Sequence, residues 1–448
     1  MKNNKFLLIY FGLIIFLSGC SFDSKTGIWS GSEKEKKRIT QLEEDRIKNT
    51  EKIYSSEDIV VDEILSEKNI NLSEPKKNNI WKTSNFNEQN FIGHLYLTGI
   101  NKTFLKKKIG KNKFSLSNVM SSPVIGEDFI IMTDNTGTIF NISKNGKINW
   151  KKNIYKKIYK KIYKNLSISL YKDSIFVADN IGFIYSIEIN SGKILWLKNH
   201  GIPLKSKIKI FDDKVFLVNS DNRIICLDTK KGTQIWDART VSSFIKTQNF
   251  LALAISKDGE IITINSSGDL IKLSSINGQI YWSLNITPSL FAHDKDFFES
   301  SDIVIDGDDI IFSTTTSIFS YNINTRFMNW KFDINSINTP IIDGKNVFLV
   351  SKNGFFINID KDSGKIIWST NIFKILKKRK RDTNVTGFIL GSNKIYSITY
   401  NGFLITSSAI DGKTETYNKI GNSIIADPII SDGSLYILTK NQKLMGFN

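Results

Sequence analysis

The chain has 448 residues, 40% of them hydrophobic and 12% aromatic, with only six prolines and a net charge of +17. Its two cysteines, Cys20 and Cys226, exclude a disulfide-stapled framework, because Cys20 falls in a processing signal and leaves Cys226 alone. The lysine excess raises nucleic acid, anionic lipid or an acidic protein as partners.

Residues 1–19 read as a leader. Lys2 and Lys5 precede an apolar run over 6–16 that is too short to span a bilayer and is shaped like a secretory signal. The string Leu17-Ser18-Gly19-Cys20 is a bacterial lipobox. Cleavage would leave Cys20 first, carrying a thioether-linked diacylglycerol and an amide-linked chain such as palmitate, and two or more acyl chains anchor stably. Ser21 after the cysteine, rather than aspartate, directs the expectation to the periplasmic face of the outer membrane. Residues 20–78 are polar and densely charged, with weak amphipathic character at Ile39, Leu42 and Ile47, and are expected to form a flexible or partly helical tether.

Residues 79–448 carry one unit over and over. Tryptophan returns at Trp150, Trp196, Trp236, Trp282, Trp330 and Trp368, a beat of about 40 to 50 residues that marks a propeller when each unit holds several β-branched and aromatic runs. In the first unit the expected strands are 122–125, 129–133, 138–142 and 147–151, separated by Gly- and Asn-bearing turns. A glycine stands four residues before the tryptophan in five units, and Arg326 replaces it before Trp330. Even spacing in a strand keeps one face, so indole and glycine are expected on the same side.

Between the first two units lies a lysine run over 151–164 with Tyr155, Tyr159 and Tyr163 at spacing four. It reads either as a solvated loop or as a basic helical excursion that would attract anionic headgroups or an acidic partner. A second basic run spans 374–381. A seventh unit has Thr416 in place of tryptophan, and an eighth stops at Asn448 before its fourth strand. Asn79-Ile80-Trp81-Lys82 resembles that missing strand. The expectation is therefore an all-β, eight-bladed propeller of four-stranded antiparallel blades, closed by an N-terminal strand, with Trp81 and the six periodic tryptophans docking blade on blade.

No catalytic constellation emerges. His94, His200 and His293 are far apart in sequence, no phosphate loop or nucleophile elbow occurs, and the carboxylates Asp212, Asp213, Asp306, Asp308 and Asp309 fall at expected turns. No catalytic residue, metal site or cofactor is expected, and nucleic acid is a poor partner for an exported lipoprotein.

The string 360–368, Asp-Lys-Asp-Ser-Gly-Lys-Ile-Ile-Trp, and the string 187–196, ending in Gly192-Lys193-Ile194-Leu195-Trp196, resemble the pyrroloquinoline-quinone-type propeller repeat. Two families share it, the quinoprotein dehydrogenases and the outer-membrane assembly lipoproteins of the BamB family. The former stack their quinone on a vicinal disulfide beside a calcium site, whereas this chain has no adjacent cysteines. Lipobox, single propeller domain and closing N-terminal strand resemble the BamB family. Departures are the charged stretch 21–78, an insert over 93–119, and Thr416.

The resemblance implies a monomeric, non-enzymatic scaffold of the β-barrel assembly (BAM) complex. Such a scaffold docks on the POTRA domains of the barrel insertase BamA and assists insertion of outer-membrane proteins. It also implies a docking surface on inter-blade loops, here 237–249 and 288–301, with Arg239, Phe244, Phe291, Asp294, Asp296, Phe297 and Glu299 as contact residues. The alternatives are a periplasmic quinoprotein-like dehydrogenase and a lipoprotein propeller that binds polysaccharide or another envelope component.

Overall fold

The computed structural model describes residues 21–22, 29–30, 63–65, 70–114, 122–240, 250–287, 298–377, 383–424 and 426–448. The chain divides into two compact units, Met1–Ile59 and Val60–Asn448. In the first, Ser21–Phe22 pairs antiparallel with Trp29–Ser30. Cys20 and the rest of the leader and tether up to Val61 and Asp62 lie outside the described residues.

The second unit holds eight four-stranded antiparallel sheets. Blade 1 is built from Val124–Ile125, Phe129–Thr133, Thr138–Ser143 and Ile148–Asn153, close to the strands read from its turn chemistry. Blades 2 to 7 begin with inner strands Leu166–Tyr171, Lys209–Phe211, Leu253–Ile255, Val304–Asp306, Ile341–Asp343 and Val385–Gly391. First strands of several successive blades touch each other, which identifies them as the inner ring, and the sheets of blades 1 to 7 then step outward in sequence order.

Burial follows that geometry. The second strands are nearly continuous apolar runs, such as Val215, Phe216, Leu217 and Val218, because a sheet packed between two neighbours is covered on both faces. Outer strands such as Met328–Asp333 reach solvent and carry alternating polar residues. Cys226 lies fully buried in the third strand of blade 3, and burial pushes its thiol up to about 12, so it behaves as a small apolar core residue.

The ring closes with an N-terminal strand, but not the expected one. Blade 8 takes Ile429–Ser431, Ser434–Leu438 and Lys443–Phe447 from the C-terminus and Thr103–Lys108 as its outer strand. Those six residues, TFLKKK, bury only Leu105, because a rim strand needs just one residue turned inward. With no tryptophan and three lysines, the strand carries little hydrophobic signal. The supposed insert over 93–119 therefore contains the closing strand. Trp81 instead pairs with Ile125 on the inner strand of blade 1 and is 1% exposed.

The glycine and tryptophan relationship also differs from the expectation. Each glycine sits in the turn before the outer strand at positive φ, followed by a β-bulge, so simple alternation does not apply. The indole it accommodates belongs to the preceding blade. A Cβ on Gly192 would stand 2.9 Å from Trp150, and one on Gly232 2.6 Å from Trp196. The indole N–H then donates across the boundary, from Trp150 to the Ile189 carbonyl at 2.8 Å and from Trp196 to that of Thr229 at 2.9 Å. Trp236 and Trp282 do the same to Ser275 and Ile323. Trp368, fully buried, lies over Gly412 and its Nε1 has no partner. In blade 8 Leu105 takes the indole's place, 2.7 Å from a Cβ built on Gly146 of blade 1.

Candidate functional site

Residues 70–98 run through the middle of the ring and bond to all eight blades. Successive side chains or amides reach Asp343 of blade 6 from Ser73 and Ile430 of blade 8 from Asn78. Trp81 reaches Ile125 of blade 1, and the Lys82 carbonyl accepts from the Leu170 amide of blade 2. The Asn87 carbonyl accepts from Lys209 of blade 3, Glu88 from the amide of Ile255 in blade 4, and Gln89 from that of Ile305 in blade 5. Leu95 then pairs with Leu390 of blade 7. Residues 70–78, read as the end of a tether, are thus part of the ring assembly.

The segment enters from the face of the first hairpin turns. His94 is fixed there between the Ser73 carbonyl, 2.6 Å from Nδ1, and the Asn393 amide, 2.9 Å from Nε2. One ring nitrogen accepts and the other must donate, so the imidazole is the neutral Nδ1–H tautomer and holds the strap. Deeper in, Asn90 donates to the carbonyls of both Leu253 and Ile303, and its oxygen accepts from Lys209.

At the inner end the segment meets charge. Lys207, Asp302 and Asp427 each precede the inner strand of their blade by two residues, which aims them at the axis. Lys207 bonds Asp302 at 2.5 Å and Asn85 at 3.0 Å, and Asn85 donates to Asp302 at 2.6 Å. Burial works against both charges. The Asp302 and Asp427 carboxylates still hold Lys207 above its ordinary value, and the Lys207 ammonium holds Asp302 below its own. Asp427, crowded by the surrounding protein and by Asp302, is raised. Burial pulls Lys209 down to about 8. A cavity of about 20 Å³ beside Trp81, Ser84, Asn85 and Asp427 has room for one water. Asn85, Lys207 and Asp302 are thus bonded to one another at this end of the segment, with Asp427 lining the cavity beside them.

The described ends of the predicted docking loops, 237–240 and 298–301, lie where an outer strand hands over to the next inner strand, on the face opposite the first hairpin turns. Arg239 is the last residue of the outer strand Gln234–Arg239 and is exposed. Glu299 precedes blade 5 and is half-buried. Desolvation raises its carboxyl, and Lys352 partly offsets this. Topology puts both on one rim. Phe244, Phe291, Asp294, Asp296 and Phe297 lie outside the described residues. Among the turn carboxylates, Asp306 and Asp309 pair with Lys361 of the next blade at 2.5 and 3.3 Å, which is a structural role.

Reasoning from sequence missed the whole axial strap. Its one available signal was the density of Asn residues, Asn78, Asn79, Asn85, Asn87 and Asn90, short polar side chains of the kind that satisfy exposed backbone groups in a crossing segment without regular structure.

The family description matching this chain is that of the outer membrane protein assembly factor BamB, over residues 135–370. BamB of Moranella endobia (strain PCIT) is 21% identical over 298 residues, covering 61% of this chain and 72% of that protein. The crystal structure of BamB from Moraxella catarrhalis superposes with a TM-score of 0.62 at 12% identity, covering 77% of this chain and all of that one. A europium-containing methanol dehydrogenase gives 0.64 at 12% identity over 81% of this chain and 90% of its own, a likeness of fold. Because the family match takes in more than half of the chain and spans the tryptophan-bearing blades, the chain belongs to the outer membrane protein assembly factor BamB family.

Proposed function

We propose that this chain is a non-enzymatic scaffold lipoprotein of the outer-membrane β-barrel assembly complex. In this reading the leader 1–19 is removed, Cys20 is lipidated, and the propeller stands on the periplasmic face of the outer membrane. The rim carrying Arg239, Glu299 and the loops 237–249 and 288–301 docks on the POTRA domains of the barrel insertase. No bond is made or broken.

The observation that carries the reading, beside family membership, is the strap through the axis. Asn85, Asn87 and Asn90 engage Lys207, Asp302 and Lys209 where a quinoprotein-like enzyme would need space for its cofactor. The only cysteine of the propeller, Cys226, is fully buried, so no vicinal disulfide platform is available there. The aromatic and Arg content of the rim loops suits a protein interface, and their acids suit a basic groove.

Affinity purification of the full chain from envelope membranes tests the proposal. Co-elution of the barrel insertase is the expected result, and charge reversal at Asp294 and Glu299 should weaken it. Recovery of the chain without the insertase, or with a quinone absorbance band, would replace this reading by the enzyme alternative or by binding to another envelope component.

A further inference from the structure

The link between blades 1 and 2 is a surface that the family reading does not use. It joins the outer strand Ile148–Asn153 to the inner strand Leu166–Tyr171. Of the two readings of this run, the helical excursion with three tyrosines on one face is absent, and the loop holds a single 3₁₀ turn, Lys157–Tyr159. Tyr155 is buried, bonded through its hydroxyl to Asp179, and in edge contact with Tyr159 and Phe183. Lys164 turns inward, donating to the Tyr159 carbonyl and lying 5.0 Å from the Tyr155 ring centre.

With Ile154 and Tyr155 buried and Tyr159 and Tyr163 half-buried, four lysines and two isoleucines of the link face out. Lys156, Lys157, Lys160 and Lys161 are exposed, and between them Ile158 is 79% and Ile162 44% exposed. Lys111 and Lys113 sit alongside, their amides bonded to Asp134 and Asn135, while the Lys164 amide reaches the Asn135 carbonyl from the link. No acidic residue occurs over positions 135–172. The link lies on the rim of the outer-to-inner connections.

We propose that this lysine and isoleucine loop docks on an anionic phospholipid surface. The composition decides between lipid and protein. Protein interfaces enrich Tyr, Trp and Arg and deplete Lys, and here lysine and isoleucine are the exposed residues while Tyr155 is buried and Tyr159 and Tyr163 are half-buried. Exposed isoleucine ringed by lysine is what an interfacial membrane contact uses. The branched side chain enters the headgroup boundary while the lysine stems cover apolar surface and hold their charge in water. Each lysine near an anionic leaflet contributes an attraction that falls off within a Debye length. The loop thus supplies a second membrane contact, independent of Cys20 and of any docking on a protein partner.

The test uses the full chain with Cys20→Ser, which removes the acyl anchor, and vesicles of phosphatidylcholine alone or with about 30% phosphatidylglycerol. Co-sedimentation with the anionic vesicles only, weakening as salt is raised, is expected. Replacing Lys156, Lys157, Lys160 and Lys161 by Gln should lower the partition coefficient by about 1000-fold. An environment-sensitive fluorophore on Ile158→Cys should shift to the blue on anionic vesicles, with Cys226 left unlabelled in the core. Ile158→Ser should weaken binding without altering the salt dependence. Equal partition onto neutral vesicles, or a four-lysine variant as vesicle-bound as its parent, would overturn the proposal. So would retention by an acidic protein with no vesicle binding.

Discussion

Trp330 and Gly364 meet across the boundary between blades 5 and 6. The indole N–H donates to the Lys361 carbonyl at 2.6 Å, and the ring fills the space where a Cβ on Gly364 would stand, 2.6 Å from Cγ. Gly364 is also at φ +70. Two demands, an unusual backbone angle and a missing side chain, therefore fall on one residue. Five of the inter-blade boundaries use this device, at Gly192, Gly232, Gly278, Gly364 and Gly412.

Those two demands are separable by substitution. Gly344 has φ +58 but nothing within 4 Å of an added Cβ. Gly344→Ala should cost about 1 kcal/mol from the left-handed backbone alone. Gly364→Ala should cost about 2–4 kcal/mol, since it also pushes against a packed indole. Urea midpoints of the two variants compare the costs, and equal losses would show that the indole yields freely.

At the Trp282 boundary the same turn position is Arg326, held at φ +67. Arg326→Gly relieves a left-handed strain of about 1–2 kcal/mol and gives back part of it as unfolded-chain entropy. A net gain of about 0.5–1 kcal/mol in chemical denaturation is the expected result. A loss would mean that the arginine side chain contributes packing worth more than the strain.

Closure of the ring depends on Leu105 rather than on a tryptophan. Leu105→Ala empties the contact over Gly146 and should destabilise by about 2–4 kcal/mol. Hydrogen exchange should rise first in Lys443–Phe447 and Thr103–Lys108, the pair that joins the two ends of the chain. Uniform loss of protection around all eight blades would instead point to fully cooperative unfolding.

The axial network predicts a pH dependence. Burial alone would raise Asp302, and Lys207 lowers it below its unfolded value. Its stabilising effect is therefore complete above the unfolded carboxylate value, about 3.9, and is lost as pH falls through the lower folded value. Asp302→Asn strands a buried ammonium and should cost about 3–5 kcal/mol at neutral pH. Combining Lys207→Met with Asp302→Leu should recover most of that and flatten the stability profile below about pH 4. Thermal melts across that range compare the three chains.

Much of the wheel was legible in the chain itself. A repeat that places tryptophan and glycine at fixed offsets records a contact made again and again, and a repeated contact leaves a periodic trace. That periodicity gave the blade count, the strands of blade 1 and the unfinished blade 8. It also misled, because Trp81 fits the rhythm by residue type while the rim position belongs to Leu105. The direction of the glycine contact, toward the previous blade, was invisible because alternation within a strand says nothing about the neighbouring sheet.

What happens once leaves no period. The strap over 70–98 bonds to positions more than 300 residues away, as between Asn78 and Ile430, and no local pattern encodes such a pairing. Lys207, Asp302 and Asp427 come from three blades and share a site only because closure brings all inner strands to one axis. The amino-acid sequence determined the repeated unit, since each blade's hydrophobic runs and turns are local. Tertiary structure alone decided what fills the centre and which lysines face outward, because those depend on where a closed ring leaves room.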